Sequence, residues 1–258
     1  VIPCVHTFPW RDLPLPTALE SIRESGITTL ELDASPGSAH LDPLAGREAA
    51  GEVRSLLAGF QVAAVSAEHP DLPRREEEGG DEAVAYTVAA IKRAADLRVP
   101  VVCVSLGNTD VDAWDTAWQR ALTALRMALY QTSRTRVKVA VTLTPDDVLN
   151  SLRKARRLLD GIDNPRLGLA LDTGVMHYLR IQMSEALLVA GERLFHVRLR
   201  DATRTDPNRP LGAGQMHLAP LLRQLREHGY EGALSLSPPG PADLVPSATL
   251  LRQALSGQ

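Results

Sequence analysis

"LGLALDTG", residues 167–174, decides the fold. Its leucines at 167, 169 and 171 alternate with Gly168, Ala170 and Asp172, the period of two that marks a strand. In a closed barrel the large apolar side chains of such a strand pack outward under helices, while its small or polar ones point inward. Asp172 is the last inward residue, which puts it at the C-terminal end of its strand. A carboxylate there needs a partner, because taking an unpaired charge out of water is costly.

The same alternation recurs in "VKVAVT" (137–142), "ALSLS" (233–237) and "TLELD" (29–33), with Ala140, Thr142, Ser235, Ser237, Glu31 and Asp33 on the inward parity. Apolar runs predict strands near 1–7, 28–33, 61–67, 100–106, 137–143, 167–172, 194–200 and 232–237. Amphipathic stretches fill the gaps. "LPTALESIRESG" carries Thr17 and Glu20 in capping-box spacing and stops at Gly26. "REAAGEVRSLLAGF", "DEAVAYTVAAIKRAADL" and "DAWDTAWQRALTALRMALYQ" repeat apolar residues three and four apart. "TPDDVLNSLRKARRLLDG" predicts a helix opening at Thr144, and three more are expected at 176–190, 217–228 and 242–255.

Eight strand–helix units in 258 residues predict a parallel sheet closed into a single α/β (β/α)8 barrel, one domain over 1–258. An open doubly wound sheet needs a Gly-rich phosphate loop after its first strand, and "TFPWRDLPLP" (7–16) has no glycine. A net charge of −3 offers no general attraction to nucleic acid or anionic membrane. No apolar run approaches the roughly 20 residues of a membrane span. "VIPCVHTF" shows no secretory pattern, and Cys4 and Cys103 fit neither a disulfide framework nor a zinc motif, so a cytoplasmic address is expected. "RREEEGG" (74–80) reads as a solvated loop or a lid.

Barrel enzymes keep their chemistry at the C-terminal mouth. The strand ends collected there are His6, Glu31, Asp33, Glu68, His69, Thr142, Asp172, His196, Arg198, Asp201 and Ser237. "LGLALDTG", "FHVRLRDATR" (195–204) and "RPLGAGQMHLAPLLRQLREHGYEGALSLS" (209–237) resemble the last three units of the xylose isomerase-like barrels. That family holds sugar isomerases and epimerases together with an endonuclease IV branch, and "PLGAG" is the most specific element of the match. The resemblance implies a divalent metal held by a Glu ending strand five, an Asp ending strand six, a His in strand seven and a Glu ending strand eight. Asp172 and His196 match two of these positions, while Thr142 and Ser237 stand where the two glutamates are expected. Two further family histidines fall on Val175 and Arg198.

These departures have a chemical consequence. The family set brings three negative charges to a dication, whereas Asp172 and His196 bring one, and hydroxyls are poor replacements for carboxylates. The expected cofactor is therefore none, or a weakly held Mn²⁺, Mg²⁺ or Zn²⁺. The proton-shuttling carboxylate pair that the resemblance implies is missing as well. A metal site relocated to His6, Glu68 or His69, Asp172 and His196 is one alternative; a guanidinium, Arg198, neutralising Asp172 in place of a metal is another.

The chain is expected to be a divergent sugar isomerase or epimerase-like barrel, or a lyase, acting on or binding a small polyhydroxylated ligand such as a sugar or sugar phosphate. Asp172 and His196 are the catalytic candidates. His6, Glu31, Arg198, Asp201 and Arg204 are the ligand-binding candidates, with Arg204 and Arg209 as anion-gathering groups. Phe8 and Trp10 either stack on a sugar face or plug the barrel. Asp201 either caps the "DATR" turn or touches ligand. An inactive ligand-binding or scaffold barrel is the alternative, and a repair endonuclease a weaker one.

Overall fold

The computed structural model describes residues 1–75, 79–108 and 114–256. The middle of the "RREEEGG" stretch and the start of the helix expected from residue 112 lie outside them. The strands are β1 (Ile2–His6), β2 (Thr29–Asp33), β3 (Gln61–Ser66), β4 (Val101–Val104), β5 (Lys138–Thr142), β6 (Leu167–Asp172), β7 (Leu194–Leu199) and β8 (Ala233–Leu236). They pair in parallel in sequence order, and β8 closes on β1. The helices among the described residues are α1 (Leu15–Glu24), α2 (Arg47–Leu56), α3 (Gly80–Asp96), α4 (Trp114–Gln131), α5 (Leu152–Gly161), α6 (Thr173–Tyr178), α7 (Met183–Ala190), α8 (Leu218–Glu227) and α9 (Leu244–Ser256). None of them is long and apolar enough to cross a membrane.

Strand parity divides the interior as the sequence predicts. Val5, Leu30, Leu32, Val139, Val141, Leu169, Leu171 and Val197 join the helices in one apolar cluster, while Ala64, Val101, Cys103, Ala140, Ala170 and Phe195 form a separate one. That second cluster is the barrel's floor. Phe195 reaches it through a register shift, since Leu169 pairs with Leu194 but Ala170 pairs with His196. The extra residue lets Phe195 and His196 both face the axis. Space for the ring comes from Gly168, where a Cβ would lie 2.5 Å from Phe195 Cε2 and 2.3 Å from the Arg193 carbonyl oxygen.

Several helix boundaries differ from those expected. Thr17 and Glu20 form no capping box: α1 begins at Leu15, with proline at its start and no side-chain cap on its first turn. Proline fits there because it lacks an N–H that would be orphaned anyway. The helix expected from Thr144 begins at Leu152 and is capped by Ser151. Residues 144–151 are held as a loop instead, by buried Asp147 accepting from the Gly107 and Leu149 N–H groups at 2.9 and 2.7 Å. The helix expected over 176–190 is two helices, α6 and α7, separated at Arg180, whose φ is +58°. Trp10 is 1% exposed and joins the apolar cluster between strands and helices, whereas Phe8 is exposed and stacked on His6 at 5.7 Å.

Candidate functional site

Two charged networks fill the C-terminal mouth. The first centres on Glu31, which parity turns inward from β2 and which is fully buried. Its Oε1 accepts from Arg198 Nε at 2.8 Å and Nη2 at 2.6 Å, and its Oε2 meets His196 Nε2 at 2.9 Å. Arg198 also donates to Glu68 Oε1 at 2.5 Å and Ser66 Oγ at 3.0 Å, so one guanidinium ties β7 to β2 and β3. Burial alone would raise the Glu31 pKa, but Arg198, His6 and His196 outweigh it and hold the carboxyl well below its ordinary value. Glu31 is therefore a fixed anion.

The second network answers what Asp172 is for. Its Oδ1 accepts the Gly174 and Val175 N–H groups at 3.0 and 3.1 Å, capping α6. Its Oδ2 lies 2.9 Å from Arg200 Nη2. Arg200 Nη2 also donates to Ser237 Oγ at 3.2 Å, and Ser237 Oγ lies 3.2 Å from His6 Nδ1. The serine thus accepts from the guanidinium and shares a hydrogen bond with the imidazole, linking Arg200 to His6. Burial, opposed by Glu31 and reinforced by Arg198 and Arg200, holds His6 well below the ordinary imidazole pKa. It is neutral near pH 7, and its Nε2 is buried without a hydrogen-bond partner.

The expectation that Arg198 neutralises Asp172 is corrected on one point. The two residues are register neighbours, yet the Arg198 guanidinium turns to Glu31 and Glu68, and Arg200 takes the acid. The reason is charge: Glu31 and Glu68 together outbid one carboxylate that already has two N–H donors. Arg200 had a legible signal, since His196, Arg198 and Arg200 share one parity. Glu68 was legible only as a strand end.

Other candidates fall outside these networks. Asp201 is buried and fully occupied by backbone: its Oδ1 accepts from Ala202 and Met216 at 2.8 Å, and its Oδ2 from Gly212 at 3.0 Å. It clamps the "PLGAG" loop, whose Gly214 has no room for a side chain because a Cβ would lie 2.3 Å from Asp201 Oδ1. Arg209 pairs with Asp206 at 2.9 Å. Arg204 is exposed and lines a separate cavity. His69 Nδ1 accepts from the Asp71 N–H at 3.2 Å. Asp33 accepts from Ser35, with its second oxygen buried and unpartnered.

At the expected metal positions each donor is engaged within the protein. The Thr142 hydroxyl donates to the Val104 carbonyl at 3.2 Å, Ser237 and Asp172 share the Arg200 cation, and His196 Nε2 is bonded to Glu31. Among the described residues, one group of three possible ligands lies within 4.8 Å: Glu31, Cys103 and His196. The relocated set expected from His6, Glu68 or His69, Asp172 and His196 is not that group. In it Glu31 is already neutralised by Arg198, and burial, with Glu31 nearby, keeps the Cys103 thiol well above its usual pKa.

A family model for the xylose isomerase-like TIM barrel matches residues 19–256. A D-psicose 3-epimerase of Enterocloster bolteae is 31% identical over 91 residues, which cover 35% of this chain and 29% of that protein. The chain thus matches under a third of that relative's length. Among solved structures, a D-tagatose 3-epimerase-like protein superposes with a TM-score of 0.86 at 19% identity, over 99% of this chain and 97% of the other. The 3-keto-D-glucoside 4-epimerase of E. coli gives 0.81 at 17%, over 98% and 100%. A D-allulose 3-epimerase from Methylomonas sp., solved with D-allulose, gives 0.80 at 15%, over 98% and 96%.

Proposed function

Because the chain belongs to the xylose isomerase-like TIM barrel family, we propose that it binds a small polyhydroxylated, sugar-like ligand at its C-terminal mouth without the divalent metal that the resemblance implies. One observation carries the reading: the Arg200 guanidinium bridges Asp172 and Ser237, the strand-six and strand-eight positions of the implied metal set. A guanidinium there supplies a fixed positive charge and directed N–H donors, which suit hydroxyl and carbonyl oxygens. Glu68 and Arg200, whose side chains are 24% and 20% exposed, form the accessible rim that meets the ligand. Asp172 and His196 act as positioning residues, the first through Arg200 and the second through Glu31.

Acid–base turnover by a pair of strand-end carboxylates is disfavoured, since Thr142 and Ser237 are hydroxyls without an activating base at neutral pH beyond the Ser237–His6 contact. The test is calorimetric titration of the protein in excess EDTA with free ketohexoses, including D-allulose and D-tagatose. Binding that persists in EDTA and is lost in Arg200→Ala supports the reading. Binding of no sugar-like ligand, or binding that requires added metal, overturns it.

A further inference from the structure

Beside the mouth, a cavity of about 590 Å³ lies between α6, α7 and the start of α8. Its lining includes Arg180, Arg204, His177 and His217, and it contains no aspartate or glutamate. In a chain with net charge −3, a cavity lined by two guanidinium groups, two imidazoles and no acid is a local exception. Among the described residues neither the Arg180 nor the Arg204 guanidinium makes an ion pair or side-chain hydrogen bond, whereas nearby Arg200 and Arg209 are both paired with aspartates. The geometry points to a second subsite that takes the phosphate of a phosphorylated sugar.

Position and chemistry support this assignment. Thr173 lines the cavity and directly follows Asp172 in sequence, and its hydroxyl donates to the Arg200 carbonyl at 2.7 Å. The cavity wall thus begins one residue after Asp172 and is tied to the Arg200 backbone, and this inference rests on the proposed sugar reading for the sugar half of the ligand. Two guanidinium forks match the oxygens of a phosphate dianion better than the single charge of a carboxylate. Gln224 stands in the same wall with an unpartnered amide oxygen, which suits a sugar hydroxyl. The left-handed backbone of Arg180 by itself points nowhere, since Arg98 adopts φ +60° after α3 in the same way. What distinguishes Arg180 is the cavity its side chain lines.

That backbone also supplies a clean variant, because glycine adopts positive φ without strain. Arg180→Gly removes the guanidinium while preserving the turn, and Arg204→Ala alters an exposed side chain. Calorimetry should compare a ketohexose 6-phosphate, the free ketohexose and inorganic phosphate on the wild type and on the double variant. The sugar phosphate should bind at least tenfold more tightly than the free sugar. The double variant should lose most of that advantage while its free-sugar affinity and Tm stay unchanged. Equal affinity for the two sugars, or an advantage that survives the double variant, overturns the subsite. If no free sugar binds but inorganic phosphate binds in an Arg180- and Arg204-dependent way, the sugar reading fails and the phosphate subsite stands.

Discussion

Arg200 Nη2 sits 2.9 Å from Asp172 Oδ2, so the acid that ends β6 is neutralised by a cation that the chain itself supplies. Asp172 is 5% exposed, and its other oxygen caps α6. Arg200→Ala should therefore strand a buried carboxylate. Removing one partner of a buried pair costs roughly 3–5 kcal/mol, and the lower end applies because Arg200 is partly solvated. Urea unfolding of Arg200→Ala, Asp172→Asn and the double variant checks this: the double variant should be less destabilised than the sum of the singles. Additive losses would mean that the two side chains are not coupled.

The Glu31 network should show itself as a coupled unit. Glu31→Gln leaves Arg198 with Glu68 alone, and Arg198→Met leaves Glu31 buried without its main counter-charge. Each single change should cost about 3 kcal/mol or more, with Arg198→Met the worse, because Glu31 is the more deeply buried partner. Equilibrium unfolding of both variants measures the order. Equal, small losses would place the network at the surface rather than in the barrel.

Acid should destabilise the protein in two stages. His6, His40 and His69 all have pKa values lowered by burial, so the folded state refuses protons that the unfolded state accepts. Their contribution is complete above the unfolded histidine value of about 6.5 and is lost as pH falls below it. Glu31, also lowered, keeps its contribution above the ordinary carboxylate value of about 4.3 and loses it as pH falls through its own folded pKa. Asp147, whose pKa burial raises to about 8, works the other way and adds stability as pH falls below that value. Tm measured from about pH 8 to about pH 2 should therefore rise slightly at first, then fall below about 6.5 and more steeply below about 4.3. His6→Gln should flatten the first stage.

Gly168→Ala and Gly214→Ala test two positions where no side chain fits. The new methyl would meet the Arg193 carbonyl and the Phe195 ring in one case, and Asp201 and the Ala202 carbonyl in the other. Overpacking typically costs about 1–3 kcal/mol, and the upper end is expected because backbone atoms stand in the way. Thermal melts read the loss. Gly161→Ala, where nothing lies within 4 Å of the new carbon, is the control that should stay near wild-type stability.

The sequence carries most of the architecture, because period-two alternation and helical spacing are local signals. "LGLALD" and "TLELD" each show which residues face the axis, Asp172 and Glu31 among them, while His196 stands out as a strand end matched by the family resemblance. Boundaries were lost where tertiary contacts override local preference. Asp147 draws residues 144–151 into a loop, and a left-handed Arg180 splits α6 from α7. The bulge that turns Phe195 inward left no mark in the strand pattern, since it depends on the space at Gly168. Parity likewise could not decide which arginine reaches Asp172. Arg198 and Arg200 share a face, and the choice follows from carboxylates contributed by β2 and by the turn after β3.

The central claim is that arginine has taken over the charge of the implied metal. Calorimetric titration of metal-stripped protein with Mn²⁺, Mg²⁺ and Zn²⁺, beside Asp172→Ala, tests it most directly. The account predicts no tight stoichiometric binding of any of the three by the wild type. One tightly bound equivalent that disappears in Asp172→Ala would contradict it.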